Sequence, residues 1–386
     1  MNIESSFKSL EKFCITEEYK GWDPYDGLNS KFFKVLPFKY FSLFRILWIQ
    51  FFKRSPINLR RLMMVPKEYN PKGIALFLTG YCNIYKFEKN EENLKKIVTL
   101  ADLLIDLKAK GYKNSCWGYN FDWQSRAFFL PRNTPTIVAT SFCADALMNA
   151  YELTKDKKYL YESLDSANFI MNDLNKSEKE SGFIFSYSPF DNTKVYNASL
   201  LGSRLLARAF YYTKNEKFKD LSRKSVEAVV NCQNKDGSWY YGESSLQKWI
   251  DSFHTGYNIE CIHEYMKYTD DYSFNHSLRQ GLDYYINNFF LKDGTPKYYS
   301  SSTYPIDIHS PAQFIATISK IDSMSKYKNL VDSVLDWTIR EMQDKSGYFF
   351  FQRNKSFTSK IPYMRWSQSW MFYAMTYYLW SQKNEF

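Results

Sequence analysis

Histidine is scarce in this chain, four in 386 residues, and two of the four stand in matching surroundings. Around His254 the sequence reads WIDSFHTGYN, and around His309 it reads YPIDIHSP. Each imidazole follows an aspartate, Asp251 or Asp307, and Tyr257 comes one helical step after His254. An imidazole beside a carboxylate is suited to general acid–base work near neutral pH. Two carboxylates could instead flank a glycosidic bond, one as acid and one as base or nucleophile, with Asp122 as a further candidate. The structural alternative is that each Asp caps a helix by accepting from a free backbone N–H. The catalytic candidates are therefore Asp251, His254, Tyr257, Asp307 and His309.

Further polar and aromatic residues are expected to bind the substrate. PYMRWSQSW supplies Tyr363, Arg365 and Trp366; FDWQSRAFFLPRN supplies Asp122, Trp123 and Arg126; GSWYYG supplies Trp239 and Tyr241; Asn197 opens another apolar run. On a uronic acid, His or Tyr would remove the proton alpha to the carboxylate while Arg or Asn neutralised it. Arg365 could clamp such a carboxylate through its two-pronged guanidinium, or serve a structural salt bridge. The spacing of Asp251, His254 and His309 matches no zinc motif, so no metal is expected. Neither a phosphate-binding glycine loop nor a dinucleotide fingerprint is present, so no cofactor is expected.

What must position these residues is a repeat. Glycine–aromatic stretches recur at Gly118, Gly182, Gly237, Gly294 and Gly347, at intervals of 64, 55, 57 and 53 residues. A steady period of this size marks an array of supersecondary units. After each stretch the pattern predicts an apolar helix, over 135–153, 196–213, 254–268, 309–321 and 366–382. A more amphipathic helix follows the first four, over 157–174, 216–233, 273–290 and 326–343. PKGIALFLTGYCNIY and EENLKKIVTLADLLIDLKAKG add an earlier pair. That makes six inner helices and five outer ones, with the segment near 38–53 as the expected sixth. The expected fold is all-α, an (α/α)6 toroid over residues 66–386, on which a loop and an aromatic amphipathic helix from 1–65 pack. Small residues such as Ala139, Gly202, Gly256 and Ala316 suit helices crowded around an axis. Links from inner to outer helices are short and the return links long, so the long loops gather at one end, where functional loops are found. That end also presents the N-termini of the inner helices, which favour negative charge.

Composition narrows the partners. Lys and Arg number 51 against 41 Asp and Glu, and Phe, Trp and Tyr make up 19% of the chain. The net charge of +10 favours an anionic partner. The basic residues are spread out, and neither a zinc-finger spacing nor an RNA-binding aromatic motif is present, so nucleic acid is not expected. None of the six cysteines forms a CxxC pair, which suits reduced cysteines of a cytoplasmic protein. No secretory leader and no apolar run of about 18 residues are seen. FFKVLPFKYFSLFRILWIQFFKRS, Phe32 to Ser55, suits either a buried packing helix or one lying in a membrane interface. GWDPYDGLNS carries Asp23, Tyr25 and Asp26, either to lid the funnel or to pin the N-terminal segment.

Two resemblances follow from these stretches. QNKDGSWYYG is similar to the QW-type repeats of terpenoid cyclases and prenyltransferases, over that loop alone. GWDPYDGLNS, SPINLRRLMMVPKEYNPKG, WIDSFHTGYN and RWSQSWMFYA resemble six-hairpin glycosidase-like proteins of bacterial surface-polysaccharide biosynthesis. This second resemblance implies glycan handling and brings no catalytic assignment with it. The candidate residues and the positive charge point to an anionic, uronate-containing polysaccharide or oligosaccharide, acted on by lyase or epimerase-type proton abstraction or by glycoside hydrolysis. The cysteines suit a cytoplasmic place, and residues 32–55 would be the contact if the chain is peripheral to the inner membrane. The alternatives are a glycan- or partner-binding toroid without catalysis, and a terpenoid or prenyl-binding enzyme.

Overall fold

The computed structural model describes residues 2–125, 128–321 and 323–383. Helix α1 (Ile3–Thr16) comes first, and α2 (Lys31–Val35) and α3 (Ser42–Arg54) lie in the long connection after it. Five helical hairpins follow: α4 (Pro71–Phe87) with α5 (Glu91–Asp106), α6 (Ile137–Thr154) with α7 (Lys157–Asp173), α8 (Tyr196–Thr213) with α9 (Glu216–Val230), α10 (Ser252–Thr269) with α11 (Asn275–Phe289), and α12 (His309–Lys320) with α13 (Met324–Met342). Helix α14 (Ser369–Lys383) ends the described chain. The even-numbered helices from α4 to α14 pack each on the next, and α14 packs back on α4. The ring is closed, and the chain is the all-α toroid that its repeat predicts.

The hairpin turns show why the helices stop where they do. Thr154, Thr213 and Thr269 each donate their hydroxyl to the carbonyl four residues back. The next residue, Lys155, Lys214 or Asp270, turns left-handed at φ 59, 55 or 56°. Asp156 and Asn215 then accept from the backbone two residues on and start the outer helix. Three residues thus end one helix and cap the next. Small residues let the inner helices close: Ala139, Ala144, Ala198, Ala312 and Ala374 are fully buried. A Cβ on Gly256 would stand 2.7 Å from Gln313 of the neighbouring helix, and one on Gly80 would stand 2.5 Å from Phe372.

The sixth outer position departs from expectation. Helix α1 fills it, packing on α14, while the segment near 38–53 lies elsewhere, in the connection between α1 and α4. Two repeated contacts identify the position. Gln233, at the end of α9, donates to the carbonyls of Gly237 and Ser277 and accepts from the Ser277 hydroxyl on α11. Gln343, at the end of α13, makes the same three bonds to Gly347 and to Ser6 on α1. The glycines agree. A Cβ on Gly182, Gly237 or Gly294 would run into a backbone carbonyl of the next outer helix, and on Gly347 it would meet Ser9 of α1 at 2.3 Å. Gly118 is a different device, pressed on the Thr134 carbonyl of its own loop. Trp239 explains the QW-like look of its loop: it covers Gly281 of α11 and donates to the Val229 carbonyl of α9.

Placing α1 outside makes all six outer-to-inner connections long and puts them at one end: 17–70, 107–136, 174–195, 231–251, 290–308 and 343–368. Small antiparallel sheets brace them: Trp123–Gln124 with Phe129–Leu130, Lys176–Lys179 with Gly182–Phe185, and a three-stranded sheet of Ile306–Asp307, Gln352–Arg353 and Thr358–Ser359. One to two turns further along the inner helices, buried charges fill the axis. Arg204 meets Glu260 at 2.9 Å and Glu264 at 3.3 Å, Lys320 meets Glu264 at 2.9 Å, and Arg208 pairs with Asp145. Three acids against three bases balance there, as buried charges must.

Gly347→Ala tests the docking of α1. The position has φ +99° and no room beside Ser9, so it should lose about 2–4 kcal/mol of stability in denaturant unfolding. Gly111→Ala, at φ +85° with nothing within 4 Å, should lose only about 1 kcal/mol. Equal losses would mean that the α1 contact does not select the glycine.

Candidate active site

The open end of the ring holds a cleft of about 1110 Å³, walled by the six long connections and floored by the first turns of the inner helices. That is at or above the upper end of the range for small-molecule sites, roughly 300–1,000 Å³, and leaves room for more than one sugar ring. Fourteen of its 36 lining residues are Phe, Trp or Tyr. Tyr241 and Trp249 stack at 4.4 Å, Tyr25 meets Trp366 at 5.6 Å, and Trp123 meets Tyr187 at 5.6 Å.

Asp251 begins α10 in extended backbone, and its two carboxylate oxygens do two jobs. Oδ1 accepts from the His254 backbone N–H at 3.0 Å, which caps the helix. Oδ2 lies 2.7 Å from His254 Nδ1 and accepts from Trp249 Nε1 at 3.0 Å. The carboxylate therefore holds the imidazole with its proton on Nδ1 and leaves Nε2 as the basic atom. His254 lines the cleft at 20% side-chain exposure, while the Asp251 side chain is fully buried behind it.

The second pair is built differently. Asp307 Oδ1 accepts from the His309 backbone N–H at 3.0 Å and from Trp366 Nε1 at 2.8 Å, and Oδ2 accepts from Gln352 Nε2 at 3.2 Å. Burial pushes its carboxyl up to about 6. The imidazole of His309 turns instead to Tyr257, whose hydroxyl lies 2.8 Å from Nε2. Phe253 stacks on it at 4.3 Å, nearly parallel. Burial first, then the charges of Lys72, His254 and Arg365, hold His309 well below the usual imidazole range, so it is neutral at pH 7. Burial raises the Tyr257 phenol well above its ordinary value and keeps it a proton donor.

Lys72, in the first turn of α4, went unnoticed in the sequence. Its Nζ donates to the Tyr257 hydroxyl at 3.3 Å and lies over the Phe142 ring at 4.3 Å. Burial lowers its ammonium well below the ordinary lysine value. The only signal was its place, since Pro71-Lys72-Gly73 starts an inner helix as Asp251-Ser252 and Ile308-His309 do. Lys72, Tyr257 and His309 thus form a hydrogen-bonded line on the cleft floor. The Tyr257 ring stands 5.9 Å from His254 and 5.8 Å from His309, between the two imidazoles.

The structure gathers Trp123, Asn197, Tyr241, His254, Tyr257, His309, Arg365 and Trp366 into this cleft. It leaves others out. Asp251 and Asp307 stand behind the imidazoles. Asp122 accepts from the Arg132 backbone within its own loop. Trp239 is core, and Tyr363 is buried beneath the Arg60 guanidinium, 4.6 Å away. Arg126 lies outside the described residues. The guanidinium fork of Arg365 is already closed on both oxygens of Asp23. In GWDPYDGLNS, Asp23 and Asp26 pin the loop to Arg365 and Arg60, and Tyr25 alone faces the cleft. Asn197 Oδ1 and His309 Nδ1 are buried in the wall without a hydrogen-bond partner among the described residues, and buried polar atoms are seldom left so.

Among the described residues, the only carboxylates in the lining are Asp191 and Glu243. Asp191 is spent on its own turn, accepting from Ser188 and Thr193, and Glu243 pairs with Lys179 and Lys194. Lys53, Arg54, Lys72, Lys194 and Arg365 make the lining positive on balance.

No protein-family model matches the chain, and no match was found among curated sequences. Solved structures do match. A cellobiose 2-epimerase from Bacillus thermoamylovorans superposes with a TM-score of 0.63 at 12% identity, over 83% of this chain and 90% of that one. An unsaturated glucuronyl hydrolase specific for heparin gives 0.61 at 15% identity, over 83% and 89%. A protein from Listeria innocua gives 0.67 at 12% identity, over 100% and 99%. The fold is that of the six-hairpin α/α toroids.

Asp307 carries a pH dependence. Its folded pKa of about 6 lies above the unfolded value of about 3.9. Between the two, the folded chain keeps a proton that the unfolded chain has lost. Stability therefore falls as pH rises from about 4 to about 6, by on the order of 2–3 kcal/mol. Asp307→Asn keeps an acceptor for His309 and Trp366 and removes the titration. Its unfolding free energy should gain on wild type by that amount between about pH 4 and about pH 7. A constant difference across that window would show that Asp307 does not titrate there.

Proposed function

We propose that this chain is a carbohydrate-active enzyme that moves a proton at a sugar carbon, in the manner of an epimerase, isomerase or lyase. The observation that carries this reading is the pair of imidazoles on adjacent inner helices, with Tyr257 between them. His254, oriented by Asp251, is the base through Nε2. Tyr257, backed by neutral His309 and by Lys72, is the donor that returns a proton or stabilises the developing oxyanion. Asn197 and the aromatic wall hold the sugar. The burial of Lys72, Tyr257 and His309 supports this, because a proton abstracted next to a carbonyl or carboxylate needs a dry, preorganised surround.

Glycoside hydrolysis needs two carboxylates facing the scissile bond. Those facing this cleft are engaged elsewhere, and Asp251 and Asp307 are shielded behind the imidazoles, so hydrolysis is the less supported chemistry. An acidic glycan is the substrate class that the positive lining favours. With the Arg365 fork closed on Asp23, a carboxylate on that glycan would be met by Lys53, Arg54 and Asn197. The kinship in fold with sugar epimerases and a glucuronyl hydrolase agrees with a role in polysaccharide biosynthesis or processing. A glycan-binding toroid without turnover is the remaining reading.

The test is incubation in deuterated water with a panel of uronate-containing and neutral oligosaccharides, followed by NMR, by the ultraviolet absorbance of unsaturated ends, and by reducing-end release. Deuterium entering a ring carbon without cleavage would mark an epimerase or isomerase, and unsaturated ends a lyase. Reducing ends alone would overturn proton abstraction in favour of hydrolysis, and binding without turnover would leave the non-catalytic toroid. His254→Gln and Tyr257→Phe should each slow turnover by roughly 10²- to 10⁴-fold with little change in thermal midpoint.

A further inference from the structure

The surface that remains unexplained is the outward face of the connection between α1 and α4. Twelve of the twenty-one large apolar side chains exposed among the described residues fall between Phe32 and Met64. Leu43, Leu47 and Phe51 recur at four-residue steps along one side of α3, exposed by 62%, 54% and 48%, and Phe44 lies beside them. The opposite side of α3 is firmly held. Trp48 Nε1 donates to the Gly27 carbonyl at 3.0 Å, Arg45 bonds Gln124 at 2.9 Å and covers Phe129, and Ile49 is buried. Exposure here is therefore a property of a well-packed helix and does not come from loose chain.

Charge says what covers this face. From Gly27 to Lys67 there are nine Lys and Arg and no Asp or Glu. Removing those nine from the chain's 51 basic residues leaves 42 against 41 acids, so this one segment carries nearly all of the net charge. A contiguous apolar face rimmed by cations alone, on a helix of 13 residues, matches an anionic bilayer surface. A second copy of the chain would set the exposed cations of this rim, Lys31, Lys34 and Arg61 among them, against their own kind across a two-fold axis, which like charge opposes. Among the described residues no helix is long and apolar enough to cross a membrane, so the contact is interfacial.

We propose that residues 32–64 seat the protein on an anionic membrane, with Leu43, Phe44, Leu47 and Phe51 in the interface and Lys31, Lys34 and Lys39 on the headgroups. Helix α3 is then shared. Ile46, Ile49, Lys53 and Arg54 line the cleft while the far side meets lipid, so one helix diameter, about 10 Å, separates the sugar site from the headgroup layer. Glycans borne on lipid would reach the cleft from that side. The proposal stands apart from the chemistry assigned to the imidazoles.

The test is co-sedimentation of the full chain with vesicles of phosphatidylglycerol and phosphatidylethanolamine, against vesicles of phosphatidylcholine. Wild type should pellet with the first and little with the second, with binding weakened by salt. The triple variant Leu43→Gln, Phe44→Gln, Leu47→Gln should bind at least about 30-fold more weakly. Tyr161→Gln, exposed elsewhere on the surface, should stay within about twofold of wild type. Circular dichroism would confirm that the variants fold. Failure to pellet with anionic vesicles would overturn the proposal. So would a triple variant that binds like wild type, since net charge alone would then suffice. A wild-type dimer that the triple variant dissolves would assign the face to a second copy and overturn it too.

Discussion

The open end of this molecule depends on four buried charges. Asp23 closes on Arg365 through both oxygens, Asp26 meets Arg60 at 2.6 Å, and Arg60 also donates to the Asp23 carbonyl. All four side chains are almost fully buried. Ion pairs so placed gain little net stability over an apolar packing, but they admit only one arrangement, because breaking either leaves a bare charge in the core. What they specify is where the first connection sits. Residues 17–70 have no inner helix of their own until α4, and these pairs fix the loop of Asp23 to Asp26, on whose Gly27 carbonyl Trp48 of α3 bonds.

Arg365 and Trp366 carry that relation into the site. They belong to a π-helical turn, Met364–Gln368, at the head of α14. Widening the helix there sends neighbouring side chains to separate tasks, as such turns often do at functional sites. Arg365 reaches back to Asp23, and Trp366 reaches to Asp307, which in turn holds the start of α12. Gly73 packs beside this turn: a Cβ there would stand in ordinary contact with Arg365, 3.4 Å away. The clamp, the π turn and the hydrogen-bonded line of Lys72, Tyr257 and His309 are thus one packed unit.

Much of the scaffold could be read from sequence because it is local. The nine helices expected after the glycine–aromatic stretches fall within three residues of their expected spans, since apolar period, N-caps and left-handed C-caps are encoded by near neighbours. The role of α1 was hidden because it rests on Gln343 and Ser6, 337 residues apart, and no spacing rule reaches that far. Asp251 and Asp307 posed a choice between capping and catalysis that the sequence could not make. Asp251 caps and orients an imidazole with different oxygens, and Asp307 caps without touching its imidazole. Trp239 and Tyr363 looked like cleft residues because aromatic loops do, yet burial is decided by the neighbouring helix. Lys72 was one basic residue among many, and only its desolvation distinguishes it.

That desolvation links the parts. A lysine, a phenol and an imidazole buried together keep their protons mobile only if water is excluded from one side and substrate is admitted from the other. The charged plug around Arg204 and Glu260 seals the axis below, so the cleft is blind. Its walls are the six long connections, and five of these are tied to the ring by sheets or by glycine contacts. The sixth contains α3, a rigid amphipathic helix with one face in the cleft and the other uncovered. A surface meeting that outer face would bury the apolar residues that make this wall costly in water. The same helix that leaves the free protein with an unfavourable surface also forms one wall of the cleft, so anything covering its outer face would stand one helix diameter, about 10 Å, from that cleft.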